Sequence, residues 1–493
     1  MNNQIPKLTP ITHSWVKNIV SERKYLFDWI NQYNSPINLI NLKPFRENHD
    51  NFENLFKKMG LKGEVFFARK ANKCKAFVYA AKQHKFGVDT ASLNEVKDCV
   101  NLGFDPAKVT VTAAIKNKAL LKFLIAHEMP VVLDNEDECI LLHQLLEEHN
   151  RMIKVGFRVS GFEFQGKKLY SRFGFDSNAV VEFIQSNLGK GKRFYKFAYE
   201  GLHFHLNGYS TAERSAALGQ CIELSDELAQ SGYQTQFIDI GGGILINYLK
   251  RKREWTQFNR QLKSSISNED HKELTFKKHP LGMVKTGKKL QGEPLVYPYF
   301  NELNQADFVE SILIAQKAEK PLFHHLIDRD ITLRLEPGRS MLDQCGITVA
   351  RVAYRKNDSE NRLLIGLEMN RTQLSSSSAD FLLDPLFVPQ EENAEGRPCE
   401  GYLVGAYCLE QDLILKRKLS FSQMPQVGDL FVFVNTAGYM MHFYESEAHG
   451  LPLSQNLIVE NGNQDVIPDE AYFDYQKKKK GKAIDQLTNI SAI

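Results

Sequence analysis

A (β/α)8 barrel of the TIM type, followed by an all-β domain, is the fold this 493-residue sequence predicts. Three observations carry that prediction. Eight short, β-branched-rich runs alternate with helical stretches. Near Asp343 the alternation stops, and strand-like runs follow one another with little helix between them. The length also exceeds what one domain usually holds, while a barrel uses roughly 250 residues as a unit.

The eight runs lie at residues 65–68, 86–88, 109–112, 130–133, 153–159, 199–206, 236–240 and 331–335. Strands separated by helices lie parallel, and eight such units close a barrel. Ser92-Leu93-Asn94-Glu95 reads as a capping box, with Val96, Cys99 and Val100 following on one helical face. Ser210-Thr211-Ala212-Glu213 offers a second, ahead of a stripe through Ala217, Cys221, Leu224 and Leu228. The spacing between the last two strands is too long for one helix. An insertion at about residues 250–310, lysine-rich up to residue 289, is expected on the surface as a solvated loop, a lid or a dimer contact. The barrel is assigned to residues 44–343. Residues 344–493 form the β domain, with strands at 347–354, 362–369, 402–407, 413–419 and 430–435 and a basic tail. Residues 1–43 form an N-terminal segment whose strand, at 36–42, joins the β domain.

Composition narrows the function. The chain is 43% hydrophobic and 25% charged, as globular proteins are. Its 62 basic and 59 acidic residues leave a formal charge of +3, too small an excess for a dedicated nucleic-acid binder. No apolar run reaches the 18 or so residues of a membrane span, and no secretory h-region opens the chain. Seven scattered cysteines without a CxxC fit reduced thiols in the cytoplasm.

A barrel gathers its chemistry at the C-terminal ends of its strands. Just past those ends stand Lys70, Asp89, Arg158, the pair His203 and His205, the triplet Gly241, Gly242 and Gly243, and Glu336 with Arg339. A glycine turn lets backbone N–H groups approach a phosphate, and Arg339 adds charge-assisted bonds. Lys70 either snorkels to solvent or is a desolvated amine of lowered pKa that forms a Schiff base. A phosphate site with such a lysine points to pyridoxal phosphate, and Glu336 can hold its pyridine nitrogen protonated. The paired histidines suggest a rival, a metal-dependent barrel hydrolase.

The motifs resemble those of the fold-type III pyridoxal-phosphate decarboxylases, closest in pattern to diaminopimelate decarboxylase. FFARKANK carries Lys70, GVDTASLNEV carries Asp89, SRFGFD spans 171–176, GLHFHLNG carries His205, and DIGGG and EPGR follow in order. GAYCLEQD places Cys408 and Asp412, and NTAGYM places Tyr439. The resemblance implies an alanine-racemase-like barrel and a homodimer with shared active sites. It implies that Lys70 is the Schiff-base lysine and His205 stacks on the cofactor ring. Asp89, Arg158, Gly241, Gly242, Gly243, Glu336, Arg339 and Tyr439 would complete the cofactor site. Cys408 would enter catalysis from the neighbouring subunit, and Arg371, Leu409 and Asp412 would meet the amino-acid substrate. No metal is implied.

The sequence departs from the family at three points. Asn207-Gly208 stands where a phosphate-binding serine is usual, so Tyr209, Ser210 or the backbone would substitute. Leu409 stands where diaminopimelate and ornithine decarboxylases carry an acid that reads a distal amine. The segment between Gly243 and Glu336 carries roughly 50 extra residues. The function read from the sequence is pyridoxal-phosphate-dependent decarboxylation of an amino acid in the cytoplasm, with an inactive regulatory homologue or the metal hydrolase as alternatives. Leu409 predicts poor use of diaminopimelate and ornithine, and better use of a substrate whose distal end is larger, acylated or otherwise uncharged.

Overall fold

A computed structural model describes residues 5–490 except 269–271, 288, 377–380, 392–396, 461 and 463; for residues 480–490 the backbone alone is described. Strand β1 (Ile37–Ile40) comes first and lies outside the barrel. The barrel strands are β2 (Gly63–Ala68), β3 (Gly87–Thr90), β4 (Val109–Val111), β5 (Val131–Leu133), β6 (Ile153–Ser160), β7 (Phe197–His203), β8 (Phe237–Asp239) and β9 (Thr332–Leu335). All are parallel, and β9 pairs with β2 to close the ring. β4 and β5 lie side by side with no ladder between them among the described residues. These strands read as short apolar runs because both their faces are covered, one by the barrel interior and one by helices. Ser92 caps its helix as expected, accepting from the Glu95 N–H at 3.3 Å. Glu95 reaches back to the Ala91 N–H at 2.7 Å, one residue earlier than the standard box.

The second domain is a sheet of β10 (Gly346–Asn357), β11 (Leu363–Leu367), β12 (Leu386–Val388), β13 (Cys399–Val404), β14 (Leu419–Phe421), β15 (Leu430–Val434), β16 (Gln455–Glu460) and β17 (Asp465–Pro468). Its main path runs β14-β13-β11-β10-β1-β16-β17, and β15 pairs with β10 and β12. The N-terminal strand β1 is therefore central, antiparallel to β10 and parallel to β16. Helices Ser14–Ser21 and Lys24–Tyr33 cover this part of the sheet, burying Trp15, Ile19, Leu26, Trp29 and Ile30 in a small core of their own.

Three expectations need correction. The strand expected at 413–419 is reduced to isolated bridges, Val404 with Leu413 and Thr275 with Arg417. The insertion is not simply a surface loop. Helix Lys252–Ser267 buries Phe258, Leu262 and Ile266, and residues 274–276 bond to Lys416 and Lys418 of the β domain. Residues 296–300 then return to the barrel mouth, with Tyr297 and Tyr299 buried. Part of the insertion, 269–271 and 288, lies outside the described residues. The lysine tail belongs to helix Asp469–Ile490, where Lys477–Lys479 are exposed. That helix docks on helix Lys75–His84: Tyr472 and Phe473 pack on Tyr79, and the Asp469 carboxylate accepts from the Lys75 and Ala76 N–H groups at 2.8 Å each. No helix among the described residues is long and apolar enough to cross a membrane.

Candidate active site

Lys70 sits in a single 3-10 turn, Arg69–Ala71, directly after β2. Backbone bonds from both domains fix that turn: Ala68 N–H donates to Pro337 O at 3.2 Å, and Tyr439 N–H to Ala71 O at 2.8 Å. Asn72 Nδ2 adds a bond to Ala437 O at 2.9 Å. The β-domain segment that carries Tyr439 therefore rests on the lysine turn. Tyr439 itself has φ +71°, a conformation unfavourable for a residue with a side chain. A Cβ on Gly338 would come within 2.6 Å of the Tyr439 hydroxyl, so glycine is required there for the close approach.

The Lys70 amine faces Asp89 Oδ2 at 3.6 Å. Asp89 is buried; its Oδ1 accepts from Thr112 Oγ1 at 2.6 Å, while Oδ2 has no hydrogen-bond partner. Burial would lower the lysine pKa, as the sequence led one to expect, but Asp89, Tyr439 and Glu336 outweigh it and the pKa is raised. Lys70 alone in the site is an ammonium, and its reactivity depends on giving up a proton.

Behind the lysine, at the ends of β7, β8 and β9, lie His203, Asp239 and Glu336, all buried. His203 Nε2 and Glu336 Oε2 are 3.3 Å apart, and Asp239 Oδ1 accepts from the Gly241 N–H at 2.8 Å. Burial, then the neighbouring Asp89 charge, pushes the Glu336 carboxyl up. Burial and Glu336 do the same to Asp239, and burial lowers His203 to about 4. Glu336 Oε1 has no partner. Among the described residues these three form the one cluster of metal-capable side chains, and His205 is not in it. The two histidines proposed as a metal pair therefore diverge. His205 Nδ1 accepts from the Gly242 N–H at 3.1 Å, which places its proton on Nε2, and burial keeps the ring neutral.

A cavity of about 580 Å³ opens above these groups. Lys70, Arg158, His205, Gly243, Arg339 and Tyr439 all line it; Asp89, Gly241, Gly242 and Glu336 support it from behind. Arg158 lies 3.7 Å from Asp134 and 4.2 Å above the Phe173 ring. Arg339 donates to Tyr248 at 2.7 Å and to Gly438 O at 3.0 Å, and lies 4.5 Å from the Tyr297 ring centroid. Gly241 and Gly243 have φ +69° and +74°. A Cβ on Gly242 would meet Glu336 O at 2.4 Å. Among the described residues nothing accepts from the N–H groups of Asn207, Gly208, Tyr209, Gly243 or Ile244, all on the cavity wall. Such a set of free donors is an anion cradle.

Arg371, Cys408, Leu409 and Asp412 are not on this wall. They cluster in β-domain loops, where Cys408 and Leu409 are exposed. Asp412 is buried, and both its oxygens are engaged, by Arg371 N–H at 2.9 Å and Tyr407 N–H at 2.8 Å. It shapes the loop that presents Cys408. Tyr297 and Phe443 line the cavity without having been singled out from the sequence. The aromatic run at 296–300, inside a polar insertion, was the available signal for Tyr297.

An eight-stranded parallel barrel with an amine, a buried unpartnered carboxyl and an anion cradle around one cavity defines a pyridoxal-phosphate protein. The orphan Asp89 and Glu336 oxygens and the free N–H groups fit that cofactor at its aldehyde, ring-nitrogen and phosphate ends. The family model for the pyridoxal-dependent decarboxylase, pyridoxal binding domain, matches residues 42–277. The chain belongs to this family of fold-type III pyridoxal-phosphate decarboxylases. It is 31% identical to the uncharacterized protein y4yA of Sinorhizobium fredii, over 94% of this chain and 96% of that protein. It is 23% identical to diaminopimelate decarboxylase of Campylobacter jejuni, over 83% and 87% of the two chains. The structure of Helicobacter pylori diaminopimelate decarboxylase complexed with L-lysine superimposes with a TM-score of 0.66 at 16% identity, covering 92% of this chain and 99% of that one.

Proposed function

We propose that the chain is an active amino-acid decarboxylase whose substrate has a large or uncharged distal end. The observation that carries the activity is Glu336, a buried carboxyl with a free oxygen at the cofactor end of the cavity. Bound pyridoxal phosphate supplies an aldehyde for amines and a ring that accepts the electron pair left when carbon dioxide departs. Lys70 binds it through Nζ, and Asp89 Oδ2, 3.6 Å away, is positioned to take the proton that this amine must release. Glu336, whose Oε1 is free while His203 steadies Oε2, would hold a proton at the ring nitrogen. His205, its ring fixed by the Gly242 N–H, would be the residue that supports the cofactor ring. The cradle at 207–209 and 243–244 binds the phosphate.

Cys408 is exposed and absent from its own chain's cavity wall, which supports a homodimer in which each Cys408 serves the partner's site. Mixing provides the test. Lys70→Ala and Cys408→Ala subunits are each crippled, but a hybrid has one doubly damaged and one intact site. Random exchange should restore up to about a quarter of wild-type activity. No recovery, despite proven exchange, places both residues in one site of one chain.

Leu409 governs substrate choice on the same reasoning. A distal ammonium brought against leucine loses water and gains no partner. Diaminopimelate, ornithine and lysine should all show low kcat/KM for carbon dioxide release, and amino acids with acylated or apolar ends a higher one. Leu409→Glu should move the preference toward diaminopimelate. Efficient wild-type use of diaminopimelate would remove Leu409 as a determinant. A protein that binds cofactor yet decarboxylates nothing in such a panel is the inactive homologue.

A further inference from the structure

The family's phosphate-binding serine is missing, and neither neighbouring hydroxyl, of Tyr209 or Ser210, fits well in its place. The Ser210 hydroxyl accepts from the Glu213 N–H at 3.2 Å and caps helix Thr211–Gln230. Tyr209 lines the cavity but packs edge-on against Tyr297. One turn into that helix stands Arg214. It is 2% exposed, and no carboxylate among the described residues pairs with it. Its Nε is buried without a hydrogen-bond partner. A buried guanidinium without an ion pair is costly, and burial, only partly offset by Tyr209 and Glu213, holds its pKa down to about 10.

Its surroundings show where the missing charge belongs. Arg214 Nη2 donates to Leu206 O at 3.2 Å and to Gly208 O at 2.9 Å, and a Cβ on Gly243 would lie 2.5 Å from it. The side chain thus lies beneath both loops that carry the free N–H groups. In a trans peptide the C=O and the next N–H point in opposite directions. Drawing the Leu206 and Gly208 carbonyls toward Arg214 therefore turns the Asn207 and Tyr209 N–H groups the other way, toward the cavity. It also removes two carbonyl dipoles that would repel an anion.

We infer that Arg214 replaces the missing hydroxyl: a positioning cation behind the 206–209 loop that aims the cradle at the cofactor phosphate and balances its charge. This rests on the assignment of the 207–209 and 243–244 end of the cavity to the phosphate. The closing experiment separates the two. Full-length wild type, Arg214→Gln and Arg214→Lys, freed of cofactor, are titrated with pyridoxal phosphate and with pyridoxal, which lacks the phosphate; melting without cofactor checks folding. Arg214→Gln should weaken pyridoxal phosphate about ten- to a hundredfold and leave pyridoxal within about twofold. Arg214→Lys keeps the charge without the paired carbonyl contacts and should fall between. If either folded variant weakens both ligands equally, or neither, Arg214 only packs the loop and the inference is overturned. If wild type itself does not prefer the phosphorylated form, the phosphate assignment fails and takes the inference with it.

Discussion

Lys70→Ala should leave a folded protein that retains no cofactor after borohydride treatment and turns substrate over at least about 10²–10⁴-fold more slowly. The turn that carries Lys70 is held by backbone bonds of Ala68, Ala71 and Tyr439, none of which needs the amine. Removing the amine leaves the buried Asp89 carboxylate without its counter-charge, which costs stability, up to about 3 kcal/mol, until Asp89 takes up a proton. Asp89 keeps its bond from Thr112. The chemistry has no such reserve, because no other lysine among the described residues lines the cavity. Cofactor fixed by borohydride in the purified variant would assign the attachment to another residue.

Glu336→Gln is the second large effect. The amide fills the same volume against His203 and Asp239, so fold and cofactor stoichiometry should survive. It cannot carry the proton that Glu336 holds at the ring nitrogen, and the loss of one preorganised electrostatic contact is worth roughly 10²–10³ in rate. The variant should therefore be cofactor-replete and slow. Unchanged turnover at full occupancy would take Glu336 out of this role.

The barrel was legible because strands buried on both faces read as short apolar runs, and the punctuating helices carried caps. Lys70, His205 and Glu336 were legible because a parallel barrel brings strand ends to one mouth wherever they stand in sequence. What escaped depends on contacts between distant segments. Residues 413–419 read as an apolar, strand-like run, yet Leu413 only bridges Val404 of the β domain and Arg417 only bridges Thr275 of the insertion, so no ladder forms. Tyr297 lies in a polar stretch that looked solvated, and its burial against Arg339 is tertiary. Arg214 reads as an ordinary polar residue early in a surface helix; only the approach of the Gly243 loop reveals it. The direction of the Lys70 pKa shift also escaped, because the three groups that raise it come from three other strands or loops.

The central position of β1 has a consequence for how the chain is made. Translation delivers Ile37–Ile40 before the barrel, but one neighbour, Gly346–Asn357, follows only after the entire barrel, and the other, Gln455–Glu460, later still. Chains generally fold domain by domain as they emerge. Here the barrel can close on the ribosome while the leading segment waits, with the apolar sides of Trp15, Ile19, Leu26, Trp29 and Ile30 uncovered. A ribosome that stalls before Glu460 thus presents a finished barrel with a sticky, strand-ready leader, a natural substrate for holding chaperones and a seed for aggregation.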